Sequence, residues 1–199
     1  MTRRKKTDDT YHHGDLRDAL LEVAAEVVAE RGLQGLSIRE CARRVGVSHA
    51  APYRHFADKN ALVYALAQQG FEWLAAAGRA AMHGLDDPRD RLDAYGAAYA
   101  RFAFEHPVHH RIMFASEIEV PEGAEKSDAG AFDLLVEAAA AVAGPDQDPE
   151  LAAVAAWALP HGLAMLVLDG RIPTEKAGTG DQVEALARRL FAMWRGPLG

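Results

Sequence analysis

The segment from Ser37 to Lys59 constrains the fold of this chain more than any other part of its sequence. Ser37 is a residue type that caps helices, and an apolar stripe at helical spacing follows it. This stripe consists of Ile38, Cys41, Ala42 and Val45. Gly46 can adopt the left-handed conformation that ends a helix, and Ser48 and Asp58 each offer a further helix start. Three starts so close together predict two short helices joined by a tight turn, a unit whose second helix can enter the major groove of DNA.

Residues at fixed positions within and after this turn form a specific pattern. It reads Val47-Ser48-x-x-x-x-Tyr53-x-His55-Phe56-x-x-Lys59 and resembles the DNA-binding signature of the TetR/AcrR family of transcriptional regulators. Residues 11–21 (Tyr-His-His-Gly-Asp-Leu-Arg-Asp-Ala-Leu-Leu) are similar to the first helix of one branch of that family. The resemblance implies an all-α protein in which a three-helix helix-turn-helix DNA-binding domain precedes a helical ligand-binding and dimerisation domain.

The same resemblance implies contacts with double-stranded operator DNA. In the family, residues matching Tyr53 and His55 commonly hydrogen-bond phosphates, and the residue matching Lys59 meets a phosphate at a helix start, where backbone N–H groups favour an anion. The other residues that we expect to contact DNA are Ser37, Arg39, Ser48, His49, Ala50, Ala51 and Arg54. An arginine in the second helix can pair with guanine, and an alanine methyl can touch a thymine methyl. Arg43 and Arg44 either flank the groove as well or form a solvated face.

Composition and charge agree with a helical protein that meets a polyanion at one end. Alanine is abundant, β-branched runs are scarce, and no strand-like alternation has a useful length. The net charge is −7, yet the segment through Lys59 holds 11 Lys and Arg against 9 Asp and Glu. The remaining residues hold 11 Lys and Arg against 20 Asp and Glu. DNA is therefore expected at the N-terminal end.

Three regions are expected along the chain. They are a flexible basic arm at 1–14, the helix-turn-helix domain at 15–60, and an effector-binding and dimerisation domain at 61–199. The arm either adds contacts beside the major groove or remains a solvated tail. In the second domain, Gly70 and Gly78 are expected to weaken the first helix locally, and Pro107 is expected to end the next one. Residues 116–130 are predicted to form an acidic loop.

Aromatic and histidine residues in the second half form two further motifs. Trp157-x-x-x-His161-Gly162 and Phe102-Ala103-x-x-His106-Pro107-x-x-x-Arg111-x-Met113-Phe114 are similar to the Trp-His-Gly type of C-terminal ligand-binding domain found in some family members. Side chains brought to one side of these helices either line a pocket for a small, largely apolar effector or fill a core. The predicted effector-binding residues are Trp73, Tyr95, Tyr99, Phe102, His110, Phe114, Trp157, His161 and Met165. Pro160, inside the same helix as Trp157, leaves the carbonyl of Ala156 without its helical donor.

The last two helices, about 151–169 and 181–195, are too apolar to face water alone. In the family such helices form a four-helix bundle across a two-fold axis, so we expect a homodimer that reads a near-palindromic operator as a repressor. Effector binding is expected to tilt the helix after Asp58 and thereby release the DNA. We expect no membrane-spanning stretch and no secretory signal, and the single cysteine suits the cytoplasm.

Enzyme and metal chemistry are the alternatives to this interpretation. No Gly-rich phosphate loop, nucleophile elbow or pair of catalytic carboxylates is recognisable, so we expect neither an enzyme nor a cofactor. A metal-sensing regulator or metalloprotein that uses His106, His109, His110 and His161 is the alternative function. Pro107 interrupts the helix after the first of these histidines and no cysteine assists, so no metal site is predicted.

Overall fold

The computed structural model describes residues 13–115, 119–121, 128 and 130–194, with side chains from residue 16 to residue 193. Regular structure within these ranges is helical throughout, which confirms the predicted all-α fold. The predicted arm up to residue 12 and most of the predicted loop at 116–130 lie outside the described residues. The chain forms two compact units, residues 1–65 and residues 66–199.

The first unit is built on two helices and the start of a third. Helix α1 spans His13–Arg31, so it begins within the predicted arm, α2 spans Ile38–Val45, and α3 spans Lys59–Met82. Two short 3-10 turns, Leu33–Gly35 and Pro52–Arg54, lie between them. The apolar stripe of α1 is buried against α2. It consists of Leu20, Leu21, Ala24, Val27 and Val28.

Local capping sets the ends of these helices, as the sequence predicts. The Ser37 hydroxyl accepts a hydrogen bond from the Glu40 N–H at 3.2 Å, and the Asp58 carboxylate accepts one from the Ala61 N–H at 2.8 Å. Gly46 ends α2 with a φ of 82°, a conformation that residues with a side chain rarely adopt. The positions of the turn and of the start of α3 are therefore fixed by three local features.

The second helix of the predicted pair is shorter and tighter than expected. We predicted a helix that begins at Ser48, but the structure has turns followed by the 3-10 turn Pro52–Arg54. The Ala51 N–H donates to the Ser48 carbonyl at 3.0 Å, and the His55 N–H donates to the Pro52 carbonyl at 2.9 Å, both three residues back. Since Pro52 has no N–H to donate to Ser48, the first α-helical hydrogen bond cannot form and the tighter pattern replaces it.

Helix α4 is the central element of the second unit. The helices of this unit after α3 are α4 (Pro88–Glu105), α5 (Pro107–Met113), α6 (Ala131–Ala143), α7 (Pro149–Leu168), α8 (Thr174–Ala177) and α9 (Gly180–Trp194). Helix α4 packs against α6, α7 and α9. Small buried residues permit this close packing, because four alanines of α4 expose at most 1% of their surface. They are Ala94, Ala97, Ala100 and Ala103.

The two glycines of α3 provide room for neighbouring side chains and do not break the helix. A Cβ atom at Gly78 would lie 2.5 Å from the Tyr95 ring, and one at Gly70 would lie 2.6 Å from the Met113 sulfur. Helix α3 continues unbroken to Met82. The expectation that Gly70 and Gly78 weaken the helix locally stays a prediction, and the tertiary structure adds a packing role that the sequence does not reveal.

Helix α7 departs from the expectation that no stretch could span a membrane. The 20 residues of α7 are long and apolar enough to cross a membrane, by length and composition alone. Most positions between its larger apolar residues are filled by alanine. Such a helix is by itself weak evidence for a membrane, since core and interface helices share this composition. One side of α7 is buried, including Ala153, Leu163 and Ala164, while Leu151 and Leu166 are exposed.

Candidate functional site

The segment from Ser48 to Arg54 presents its side chains to solvent. Ser48, His49 and Ala50 are exposed, and so is Arg54. Tyr53 exposes 49% of its surface, which is unusual for a large aromatic side chain. These exposed groups include hydrogen-bond donors and a cation, the groups that contact phosphates and base edges in protein–DNA complexes.

Buried residues on the inner side fix this segment to the first unit. Pro52 is buried, and Phe56 exposes only 3% of its surface, so both side chains face the interior of the unit. The Arg17 guanidinium of α1 lies 5.7 Å from the centroid of the Phe56 ring. His55 is half-buried beside the same ring, so less of it faces outward than of Tyr53.

The other predicted DNA-contacting residues lie on the flanks of the segment. Lys59 is the first residue of α3 and is half-buried, and Ala51 is also half-buried. Ser37 and Arg39 are exposed at the start of α2, where the Ser37 hydroxyl also caps the helix. The structure thus leaves all ten predicted positions at least partly accessible within the first unit.

Arg43 and Arg44 are engaged in ion pairs within the unit. The guanidinium groups of Arg43 and Arg44 both bond the Glu40 carboxylate, at 2.8 and 3.0 Å. Arg44 also donates to Glu30 of α1 at 2.9 Å and exposes only 18% of its side chain. Hydrogen bonds from the two arginines lower the pKa of Glu40 to about 2. Of the two roles considered for Arg44, groove contact and solvated face, neither fits, because it joins α2 to α1.

The second unit contains a cavity of about 620 Å³ between α4, α6, α7 and α9. Its wall is mostly apolar and small. The residues that line it include Leu92, Tyr95, Gly96, Tyr99, Leu135, Ala139, Val142, Ala143, Ala152, Ala155, Ala156, Trp157, Leu159, Pro160 and Phe191. Arg89 and Asp93, an ion pair at 3.5 Å on α4, also line it. A cavity of this size and lining suits a small, mostly apolar molecule.

A second cavity of about 250 Å³ adjoins the first. Four residues line both cavities and therefore form the partition between them: Tyr95, Tyr99, Leu135 and Trp157. Phe114 lines the smaller cavity only. The Tyr95 hydroxyl donates to the Ala131 carbonyl at 2.7 Å, so this wall residue is fixed at both ends of its side chain.

Tyr99 is held by a buried hydrogen-bond network. Its hydroxyl lies 2.9 Å from Nε2 of His110 and 2.7 Å from Nδ1 of His161. Burial lowers the pKa of His110 to about 4, and the nearby His161 and Arg111 act in the same direction. Burial also lowers the pKa of His161. Because both imidazoles are then neutral at neutral pH, the hydroxyl can donate to one ring and accept from the other.

The predicted effector-binding residues fall into three groups. Tyr95, Tyr99, Phe114 and Trp157 line a cavity, whereas His110 and His161 bond Tyr99 without lining either cavity. The other three, which the structure places outside both cavities, are Trp73, Phe102 and Met165. Trp73 packs on histidine rings at and just before the start of α5, Phe102 is buried in the core, and Met165 is 41% exposed. The helix rotations that separate these groups depend on tertiary packing.

The alanine wall and the Arg89–Asp93 pair were not predicted as parts of the site. Alanine is the most common helix former, so an alanine such as Ala139 carries no signal that distinguishes a cavity wall from a helix contact. Arg89 and Asp93 stand four residues apart on one helix, a spacing that also occurs on solvated surfaces. The four-residue spacing of Arg89 and Asp93 was therefore the one sequence feature that could have indicated this ion pair.

The four histidines of the alternative metal site are otherwise engaged. Among the described residues, no group of three or more His, Cys, Asp or Glu side chains is placed to hold a metal ion. His106 and His109 pack on the Trp73 ring, with centroids 4.9 and 4.6 Å away. His109 also bonds Gln69 at 3.0 Å. The metal-sensing alternative therefore has no support from the described residues.

Comparisons with known proteins match both units. The family described as "Bacterial regulatory proteins, tetR family" matches residues 20–66, and "Tetracyclin repressor-like, C-terminal domain" matches residues 92–193, just over half of the chain. A solved structure described as a protein with unknown function from Rhodococcus sp. RHA1 is 36% identical and has a TM-score of 0.74. The match covers 95% of this chain and 98% of that one. The TetR-family regulator PfmR from Thermus thermophilus is 23% identical, with a TM-score of 0.67 over 89% of this chain and 94% of its own, and shows the fold alone.

Curated relatives are transcriptional regulators by name. The HTH-type transcriptional repressor KstR2 of Mycobacterium tuberculosis is 38% identical over 52% of this chain and 51% of its own length. The HTH-type transcriptional activator FasR of Mycolicibacterium smegmatis is 30% identical over 60% of this chain and 58% of its own. This chain thus spans little more than half the length of the curated relatives that it matches. The resemblance to the Trp-His-Gly type stays a prediction. Because one family model matches each of the two compact units, and one of the two matches covers more than half of the chain, this chain belongs to the TetR family of bacterial regulatory proteins.

Proposed function

We propose that this chain is a dimeric, DNA-binding transcriptional repressor that a small, largely apolar effector releases from its operator. The observation that carries the proposal is the exposed segment from Ser48 to Arg54, held in place by the buried Pro52 and Phe56. A rigid protrusion with exposed polar side chains can enter a DNA groove without first ordering itself. The ion pair between Arg44 of α2 and Glu30 of α1 supports the same rigid unit.

Within the segment, the proposal divides the side chains by role. Tyr53 and Lys59, with His55, contact phosphates, which positions the protein on the duplex. Arg54 reads a guanine, and His49 contributes to base recognition, because both are exposed beside Tyr53. The excess of basic over acidic residues through Lys59 favours DNA at this unit, whereas the acidic remainder disfavours it elsewhere.

A second copy of the chain is the proposed partner of α7 and α9. Large apolar side chains are exposed on these helices: Leu151, Val154, Met165, Leu166 and Met193. Burying them in an isologous interface removes apolar surface from water and supplies two reading segments for a near-palindromic operator. A dimer also accounts for the membrane-like composition of α7 without a membrane, and the protein would act in the cytoplasm, where bacterial DNA is found.

The two adjoining cavities of the second unit are the proposed effector site. To move the protein from almost fully bound to almost fully released, the effector must prefer the released state by about 5.5 kcal/mol. The repressor assignment follows KstR2, whereas FasR is named as an activator, so the sign of regulation needs its own measurement. Expression of a reporter gene under the control of an operator that this protein binds shows whether the protein represses or activates. We expect expression to rise when the gene for this protein is deleted.

Selection of bound sequences from a random DNA pool tests the DNA-binding proposal. We expect two inverted half-sites, with one guanine per half-site that Arg54→Ala no longer selects, at a cost of about 1–3 kcal/mol for that base. Arg39→Ala is the matched control: it removes an exposed arginine of the same unit and should weaken binding uniformly without changing the motif. A pool without any enriched motif would contradict the proposal.

A further inference from the structure

A side-chain donor of the larger cavity's wall is buried without a hydrogen bond. Arg89 lines the cavity of about 620 Å³, and its Nε atom is shielded from solvent and has no hydrogen-bond partner among the described residues. Oδ1 of Asp93 lies 3.5 Å from this nitrogen, so the two charges attract each other, but the contact is not a hydrogen bond. A buried donor without an acceptor is unfavourable, and a ligand that supplies an acceptor removes that penalty.

The position of Arg89 also suits the charged end of a ligand. Its side chain remains 42% exposed although Nε itself is buried, so Arg89 stands at an edge of the cavity. Most of the other residues that line the cavity are apolar. The hydroxyl groups of the wall already have partners, because Tyr95 donates to a backbone carbonyl and Tyr99 lies between two histidines. The wall thus offers a cationic donor at an edge and apolar surface elsewhere.

We propose that the effector is an apolar monocarboxylic acid, whose carboxylate accepts a hydrogen bond from Nε of Arg89 while its apolar body occupies the larger cavity. This inference rests on the proposed function, in which the cavity holds the effector. The planar guanidinium group matches a carboxylate in shape, and the opposite charges strengthen the bond. An ammonium group would meet a like charge and offers no acceptor. A neutral ester or amide carbonyl can accept the same hydrogen bond but gains less from the charge of Arg89.

Asp93 reduces the expected gain in affinity without removing it. Its carboxylate partly neutralises Arg89 and repels a second anion, yet it leaves the Nε–H without an acceptor. Since the Arg89 side chain is partly exposed, solvent weakens both the attraction and the repulsion. We therefore expect Arg89 to strengthen the binding of a carboxylate about tenfold, below most of the range for a hydrogen bond to a charged group.

Displacement of a neutral fluorophore, N-phenylnaphthylamine, from the full-length protein tests this inference. The displacing ligands are decanoate, n-decanol and methyl decanoate, which share an apolar chain and differ in the head group. The measured quantity is the ratio of the displacement constants of decanol and decanoate in each protein. In the wild type, added sodium chloride should lower this ratio, because salt screens the attraction between decanoate and Arg89.

Arg89→Gln removes the cation and the Nε–H donor, so the ratio should fall about tenfold, through weaker binding of decanoate and with little change for decanol. Arg91→Gln is the matched control, because it removes the same charge from the first turn of α4 at a residue that the structure does not place at either cavity. That variant should keep the wild-type ratio. Binding of decanol by each variant shows that its cavity is intact.

Three results would overturn the inference, and they differ in what else they affect. If Arg89→Gln keeps the wild-type ratio, or if salt does not change the ratio in the wild type, the carboxylate does not meet Arg89, although the cavity still holds apolar molecules. If methyl decanoate depends on Arg89 and decanoate does not, the head group is a neutral acceptor. If the wild type binds neither the fluorophore nor any of the three ligands, the effector site of the proposed function is wrong as well.

Discussion

Two tyrosines, one in each unit, show how differently the two regions use the same side chain. Tyr53 exposes 49% of its surface on the segment that we assign to DNA contact. Tyr99 exposes 2%, and its hydroxyl lies between His110 and His161. The first hydroxyl is available to a partner molecule, whereas the second is used inside the protein.

This difference separates residues that bind from residues that shape a binding site. An exposed hydroxyl such as that of Tyr53 is hydrated in the free protein and can exchange water for a phosphate oxygen at little energetic cost. A buried hydroxyl such as that of Tyr99 must keep its partners, because an unpaired buried group is unfavourable. Replacing Tyr53 should therefore change DNA binding, while replacing Tyr99 should change stability and the cavity.

The largest expected effect concerns the anchor of the exposed segment. Phe56→Ala should lower the free energy of unfolding of the first unit by about 3–5 kcal/mol, because it leaves a cavity beneath the segment. Tyr53→Ala, three residues away and exposed, should change it by no more than about 0.5 kcal/mol. Urea unfolding followed by circular dichroism compares the two variants. Equal effects would show that the segment is not anchored as the structure indicates.

The next effect compares the two tyrosines directly. Tyr99→Phe should destabilise the second unit by about 1–3 kcal/mol, because His110 and His161 lose a buried partner. Tyr53→Phe removes an exposed hydroxyl and should leave the melting temperature unchanged while weakening DNA binding. Thermal unfolding of both variants measures this contrast. A destabilised Tyr53→Phe beside an unaffected Tyr99→Phe would reverse the assignment of the two regions.

An effect of similar size concerns acid. Burial lowers the pKa of His109 and His110 to about 4 in the folded protein, from an ordinary value near 6.5. The unfolded chain therefore binds more protons between these values, and the stability that the neutral rings contribute is present above about pH 6.5 and lost as the pH falls towards 4. We expect a loss of about 2 kcal/mol per histidine between pH 7 and pH 5.

The variants His110→Gln and His83→Gln test this prediction. His110→Gln should flatten the dependence of the melting temperature on pH between 7 and 5, whatever its effect on stability at pH 7. His83→Gln replaces an exposed histidine and should keep the wild-type dependence. A His110→Gln variant with the wild-type slope would show that the ring is not a buried neutral group.

Local signals allowed much of the first unit to be predicted. The cap at Ser37, the glycine at position 46 and the cap at Asp58 depend on residues within one turn, so the sequence alone locates them. The tighter geometry at Pro52 was also accessible, because a proline four residues after Ser48 removes the first α-helical donor. Our prediction of a helix that begins at Ser48 did not take this missing donor into account.

Features that join distant parts of the chain were less accessible. Arg44 contacts Glu30, 14 residues earlier, so its role in joining helices depends on how α1 and α2 pack. In the second unit, aromatic spacing identified Tyr99 and Trp157 as cavity residues, yet the same reasoning placed Met165 there too. Helix rotation decides which of these side chains face inward, and packing with other helices sets that rotation.

Operator binding by the variant Tyr53→Ala, Lys59→Ala tests the central claim most directly. Fluorescence anisotropy with the selected operator gives the dissociation constant of this variant, of the wild type and of Lys176→Ala, which removes an exposed lysine of the second unit. We expect the double variant to bind at least about tenfold more weakly and with a shallower salt dependence, while Lys176→Ala binds like the wild type. Unchanged operator affinity in a folded double variant would contradict the assignment of residues 48–59 to DNA contact.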